Sequence, residues 1–277
     1  MSQLHEKESF LRGALRGLGN AVVAYSGGVD SSLLLYICHE ELGDSCIAVT
    51  ASSHSFPQRE LQFSSLFCNT YGIRQIIIEN DEFTIEGFAQ NGLDRCYLCK
   101  SALFLKIRKL ASDMKIDWII EGSNLNDEDD YRPGSRAIAE LGIASPLKDA
   151  GFTKQDINEL SLALGLRTAN RPSFSCLSTR IPFGEPITVE KLNRIDVAEQ
   201  YLLDKGFSQV RVRSHGDLAR IETDERGILA LSDRALRQRI HDELISFGFR
   251  YVAVDLIGYR SGSMNPSKDE VARTQIS

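Results

Sequence analysis

Ala21-Val22-Val23-Ala24-Tyr25-Ser26-Gly27-Gly28-Val29-Asp30-Ser31-Ser32 is the stretch from which the rest of the chain is read. Its apolar first half, ending in a turn signal, reads as a short buried strand over 21–25, and the apolar residues from Leu33 to Ile37 suit a helix. Ser26 to Ser31 is then a strand-to-helix elbow. Two adjacent glycines admit backbone conformations that a side chain forbids, so successive N–H groups can converge on an anion that also meets the positive end of the helix. Ser26 and Ser31 add hydroxyl donors to this phosphate cradle, and Asp30 supplies the hard oxygen ligand that a magnesium ion on the phosphates needs. A tight turn holding no ligand would need the same glycines.

The elbow has no lysine of the GxxxxGK[ST] kind, so it does not read as a loop that cleaves the last phosphate. Ser26-Gly27-Gly28-Val29-Asp30-Ser31 resembles the SGGxDS loop of the PP-loop ATP pyrophosphatases, which hold the pyrophosphate of ATP while a substrate carboxylate or carbonyl is adenylated.

Outward from the elbow, strands over 46–51, 74–78 and 118–121 alternate with helices over 57–70 and around 103–111, after a first helix over 3–18. That alternation predicts an α/β fold, a doubly wound parallel sheet covered on both faces, with ligands beyond the carboxyl ends of its strands. Gly122 follows the fourth strand, where a small residue lets an adenine ring approach the backbone. The run Asn126-Asp127-Glu128-Asp129-Asp130-Tyr131-Arg132-Pro133-Gly134 comes next, either a solvated loop or a loop that helps hold magnesium or shapes the substrate mouth. Thr153 caps a further helix, which ends at Gly165.

From Arg171 the texture changes. The segment 171–184 surrounds Cys176 with prolines, a glycine and two arginines and has no period, so it reads as a functional loop between two domains. The division expected is 1–170 for the nucleotide-binding domain and 171–277 for a smaller C-terminal α+β domain of helix, strand, strand, helix, strand, the first two strands joined as a hairpin at 214–217.

The chain's 277 residues, 42% of them hydrophobic, can bury a proper core. A formal net charge of -6 argues against a protein devoted to a nucleic-acid backbone. No apolar run approaches membrane-spanning length and the charged N-terminus does not read as a signal peptide, so the expectation is a cytoplasmic protein with neither membrane nor nucleic acid as partner. The six cysteines are not spaced as a secreted disulfide framework and are read as reduced thiols. Cys38, Cys46 and Cys68 fall in apolar patterns as core residues, and the five histidines show no ligand spacing.

Cys96 and Cys99 stand at a helix start, where the macrodipole together with Arg95 and Lys100 favours thiolate. Four-cysteine zinc would require a second pair, which is lacking. Three thiolates, Cys96, Cys99 and Cys176, suit a four-iron cluster with one iron left open; otherwise the pair is incidental and Cys176 acts alone. Val210-Arg211-Val212-Arg213 alternates, putting two guanidinium forks on one strand face, where they can hold a phosphate or carboxylate or merely edge the sheet. Arg180 and Arg260 are further candidates for an anionic substrate.

Taken together, SGGVDSS, NDEDDYRPG, SCLSTRIPFGE, RVRSH and GYRSG resemble the LarE family over nearly the whole chain. LarE-like proteins are ATP-dependent sulfur transferases that adenylate the carboxylates of pyridinium-3,5-biscarboxylic acid mononucleotide and replace the activated oxygens with sulfur, in synthesis of a nickel-pincer cofactor. The resemblance implies that Ser26, Gly27, Gly28, Asp30 and Ser31 bind pyrophosphate with Mg2+, that Gly122 lies near adenine, and that Arg211 and Arg213 help hold the substrate phosphate. Cys176 matches the sulfur-delivering position. Some members surrender that cysteine's sulfur and keep dehydroalanine; others carry a [4Fe-4S] cluster on three cysteines and deliver sulfide from its free iron, drawing on a sulfide source. With Cys96, Cys99 and Cys176 all present, the expectation is the cluster type, in a homo-oligomer. The alternatives are sacrificial transfer or another PP-loop thiolase or amidase.

Overall fold

The computed structural model describes residues 3–128, 133–169, 171 and 175–265. The chain forms two compact units, one of residues 1–85 and 96–174, the other of 86–95 and 175–277. Residues 86–95, which the sequence reading leaves in the first domain, thus group with the second unit. Gly184 N donates to the Asn91 carbonyl and Ile187 N to that of Ala89, at 3.0 and 2.9 Å.

The first unit contains α1 (Gln3–Leu18), β1 (Ala21–Ala24), α2 (Val29–Leu42), β2 (Cys46–Ser52), α3 (Gln58–Tyr71), β3 (Gln75–Glu79), nearly all of α4 (Arg95–Asp113), β4 (Ile119–Ile120), α5 (Pro133–Glu140), α6 (Pro146–Asp149) and α7 (Lys154–Ala163). Its four strands are parallel in the order β3-β2-β1-β4. Alternation along β1 feeds two cores. Ala21 and Val23 pack with Leu11, Leu15, Leu33, Phe67 and Leu160 from α1, α2, α3 and α7, whereas Val22 packs with Phe104, Ile107 and Ala111 of α4 and Ile138 of α5. This is the doubly wound parallel sheet expected. On α1 the buried stripe is Leu11 and Leu15, while Phe10 is 59% exposed.

Strand order reverses between β1 and β4, and at such a switch point the two flanking connections leave in opposite directions and open a crevice at the strands' carboxyl ends. The segments after β1 and after β4 are Ser26–Gly28 and Glu121–Asn124. The sheet therefore brings the glycine elbow and Gly122 to one place.

The second unit contains α8 (Val189–Asp204), β5 (Val210–His215), β6 (Leu218–Thr223), α9 (Glu225–Ala230), α10 (Arg234–Ser246) and β7 (Tyr251–Val254). β5 and β6 form an antiparallel hairpin turning at Gly216-Asp217, and β7 joins β6 in parallel. Leu192, Ile195, Ala198 and Leu202 of α8 are all buried, as are Val210 and Val212 of β5. Among the described residues no helix is long and apolar enough to cross a membrane.

Candidate functional site

In the elbow only Gly27 takes a left-handed conformation, with φ of +78°; Gly28 is extended at φ −72° and stands as the N-cap of α2. One glycine, not two, is needed for its backbone. No side chain caps α2, so its first N–H groups face whatever the elbow holds. Ser26 and Ser31 share a hydroxyl–hydroxyl hydrogen bond of 3.0 Å, and Ser31 Oγ donates to the Gly28 carbonyl at 3.2 Å.

Asp30, in the first turn of α2, has two unlike carboxylate oxygens. Oδ2 accepts from Lys154 Nζ, while Oδ1 is buried with no hydrogen-bond partner among the described residues. Burial pushes the Asp30 carboxyl above the usual range, and the Lys154 charge opposes that shift. An open, buried carboxylate oxygen beside a phosphate cradle is the donor a hard divalent ion takes.

Arg171 reaches the same loop. Its guanidinium donates to the Gly27 carbonyl at 3.3 Å and to Glu60 at 3.1 Å, and lies 3.5 Å over the Phe63 ring. It holds the Gly27 peptide with its oxygen turned to the arginine. Gly122 has a reason other than an adenine's approach: a Cβ there would stand 2.9 Å from Ser31 N and 3.0 Å from Ser31 Cα. What requires glycine is the close packing of the β4 end against α2. Of the acidic run, Asp127 accepts from Asn124 N at 3.2 Å and Asn126 from Lys154 N at 2.8 Å; residues 129–132 lie outside the described ones.

Cys96 and Cys99 lie at the start of α4 and are partly exposed, as is Cys176. Cys38, Cys46 and Cys68 are buried. Burial pushes the Cys68 thiol up to about 12, and the contact with Cys38, then burial, raises Cys46 further, so these are inert core groups. Arg95, buried at the head of α4, donates to Asn91 Oδ1 and to the Ser178 carbonyl at 3.1 Å. Among the described residues, no three His, Cys, Asp or Glu side chains are gathered as a metal's ligands would be.

In the second unit Cys176 precedes a 3-10 turn, Leu177–Arg180, and its carbonyl accepts from Thr179 N at 3.0 Å, Thr179 Oγ1 at 2.7 Å and Arg180 Nη1 at 3.1 Å. Arg180 is completely buried and forked onto Glu199 of α8 at 2.8 and 3.2 Å. The expectation that Arg180 meets an anionic substrate is therefore corrected: all its nitrogens donate within the fold, and it fastens the cysteine loop. Arg213 is likewise paired, with Glu222 at 2.7 and 2.9 Å, and Arg211 lies 5.2 Å from the Tyr259 ring centre. Both are buried, so the arginine face of β5 is not a solvated edge. Burial, then the charge of Arg180, pulls the Arg211 guanidinium below its usual range, an environment that an incoming anion would relieve. Arg260 is exposed, 3.7 Å from Asp255.

Sequence reading did not single out Lys154, Glu60, Glu199 or Glu222. A helix-start lysine and isolated glutamates in amphipathic segments carry no local signal: Lys154 and Glu60 matter through partners more than a hundred residues away, and Glu199 and Glu222 through arginines on neighbouring elements.

No family model matches the chain. It is 38% identical over 262 residues to an uncharacterised protein of Synechocystis sp., covering 95% of this chain and 98% of that one. It is 36% identical over 280 residues to the pyridinium-3,5-bisthiocarboxylic acid mononucleotide synthase of Lactiplantibacillus plantarum, covering 100% and 99%. The chain belongs to the LarE family. More distantly, this LarE-family chain is 27% identical over 205 residues to one of the subunits of the glutamine-hydrolysing GMP synthase of Thermoplasma acidophilum, covering 68% of this chain and 64% of that one.

Proposed function

We propose that this LarE-family protein is an ATP-dependent sulfur transferase of nickel-pincer cofactor synthesis, converting the carboxylates of pyridinium-3,5-biscarboxylic acid mononucleotide to thiocarboxylates. The observation that carries the reading is the full-length likeness to a bisthiocarboxylic acid mononucleotide synthase in a chain whose SGGVDSS elbow lies at a switch point. A carboxylate is a poor electrophile. Adenylation turns one oxygen into a good leaving group, so an ATP site and a sulfur donor in one chain make chemical sense.

In this reading the first unit binds ATP through Ser26, Gly27, Gly28 and Ser31, with Gly122 near the nucleotide, and the second unit holds the substrate and transfers sulfur. Asp30, with its open Oδ1, suits Mg2+, which supplies charge neutralisation at the phosphates when bound. Arg211, Arg213 and Arg260 attract the substrate's phosphate and carboxylates. The donor chemistry of Cys96, Cys99 and Cys176, three partly exposed thiols, suits a [4Fe-4S] cluster, which when bound would supply a sulfide at its open iron. Arg180 keeps the Cys176 backbone in place whichever way sulfur leaves.

The test is pyrophosphate release from ATP on adding the pyridinium substrate, with the product's mass and the protein's iron and acid-labile sulfide measured without oxygen. Pyrophosphate, thiocarboxylate product and a cluster lost in Cys96→Ala support the full reading. Product formed once only by iron-free protein, with Cys176 converted to dehydroalanine, replaces the cluster by the cysteine as sulfur donor. No substrate-dependent pyrophosphate release refutes the adenylating reading altogether.

A further inference from the structure

We infer that Lys154 is the mobile cation of the phosphate site: it holds Asp30 while no divalent ion is present and turns to a phosphate oxygen of ATP when Asp30 takes the ion. The inference deepens the reading of the elbow as an ATP site and rests on it.

The elbow carries no lysine of its own, yet a triphosphate brings several negative charges to it. Within the first unit an ammonium reaches this loop from α7, whose first residue is Lys154. Its main chain is firmly held. Thr153 and Asp156 form a reciprocal capping box, Lys7 Nζ bonds Asp156 at 2.7 Å, and Lys154 N donates to Asn126 Oδ1 at 2.8 Å. Its side chain is not, being 45% exposed on a four-carbon stem. A fixed base and a free head let the ammonium exchange one anionic partner for another near the same spot.

Asp30 shows why an exchange is built in. Lys154 satisfies one carboxylate oxygen, and the other is buried and unpartnered among the described residues, an atom aimed at a ligand that the lysine cannot replace. A divalent ion bound there competes with the ammonium for the same carboxylate, and the displaced ammonium lies beside the phosphates that bring the ion. Lysine suits this role because it meets phosphate as a point charge with no fixed fork to align.

Competition gives the test its sign. On the full chain, Mn2+ binding without nucleotide is followed by electron paramagnetic resonance, and ATP binding by calorimetry in chelator and in Mg2+, for wild type, Lys154→Ala and Lys154→Arg. Lys154→Ala is expected to bind Mn2+ alone more tightly, because Asp30 is released, and ATP in chelator about tenfold or more weakly, because a charge-assisted contact is lost. Lys154→Arg restores ATP binding in part. A purely structural lysine would weaken both ligands together, and that result overturns the proposal, as does unchanged ATP affinity in Lys154→Ala. If the wild type binds no ATP, the ATP-site reading falls and this inference with it.

Discussion

Replacing Glu199 by alanine leaves Arg180, a side chain with no exposure, without the carboxylate it is forked onto. Breaking such a buried pair from one side costs about 3–5 kcal/mol, because the remaining charge stays desolvated. Glu199 Oε1 also accepts from Val212 N at 3.1 Å, so the same change strips a β5 amide of its partner. The two losses share one atom and are not additive, which places the expected destabilisation at about 4 kcal/mol, a large part of the ~5–15 kcal/mol that holds a domain folded. Denaturant unfolding is followed in two ways. Far-UV circular dichroism reports the whole chain, and the fluorescence of Trp118, the chain's single tryptophan, reports the first unit. Glu199→Ala should shift the dichroism midpoint, and Arg180→Met with Glu199→Leu should recover much of the loss, since an apolar pair of similar bulk removes both charges together. Were Arg180 a substrate ligand instead, Glu199→Ala would cost under about 1 kcal/mol, as for an exposed pair. That value, or a double variant as unstable as the sum of the singles, refutes the buried-latch argument.

Gly122→Ala sets a methyl against the Ser31 backbone, which cannot yield as a side-chain tip would, so a loss of about 1–3 kcal/mol is expected together with weaker ATP binding as the start of α2 is displaced. Unchanged ATP affinity by calorimetry would show that the β4–α2 contact does not shape the site. Asp156 gives an acid-side signature: partial burial pulls its carboxyl up, but Lys7 and the hydroxyl and N–H of Thr153 outweigh that and hold it below the usual range. A carboxyl depressed in the folded state contributes stability that is complete above its unfolded value of about 4 and is lost as pH falls through the depressed folded one. Asp156→Asn should therefore flatten the acid limb of urea midpoint against pH below about 4, and an unaltered limb would remove the capping box from the acid response.

Much of the fold and the heart of the site were legible in the chain alone because they are local. The apolar run at 21–24, the glycines at 27 and 28 and the apolar residues from Leu33 to Ile37 after them specify strand, elbow and helix within one short stretch of chain, and the Ser214–Asp217 turn specifies a hairpin in the same way. Even the two-faced burial of β1 follows from its unbroken apolar run. The partners of charged groups were not legible. Lys154 meets Asp30 from 124 residues away, Arg171 meets Gly27 from 144, and Arg180 looked like a substrate ligand until α8 enclosed it with Glu199. Periodicity tells a residue which side of its own element faces inward, and that is all that neighbours in sequence can determine. Whether a charge ends in water, on a ligand or in a buried pair depends on which other element closes over it, and only the packed chain decides that.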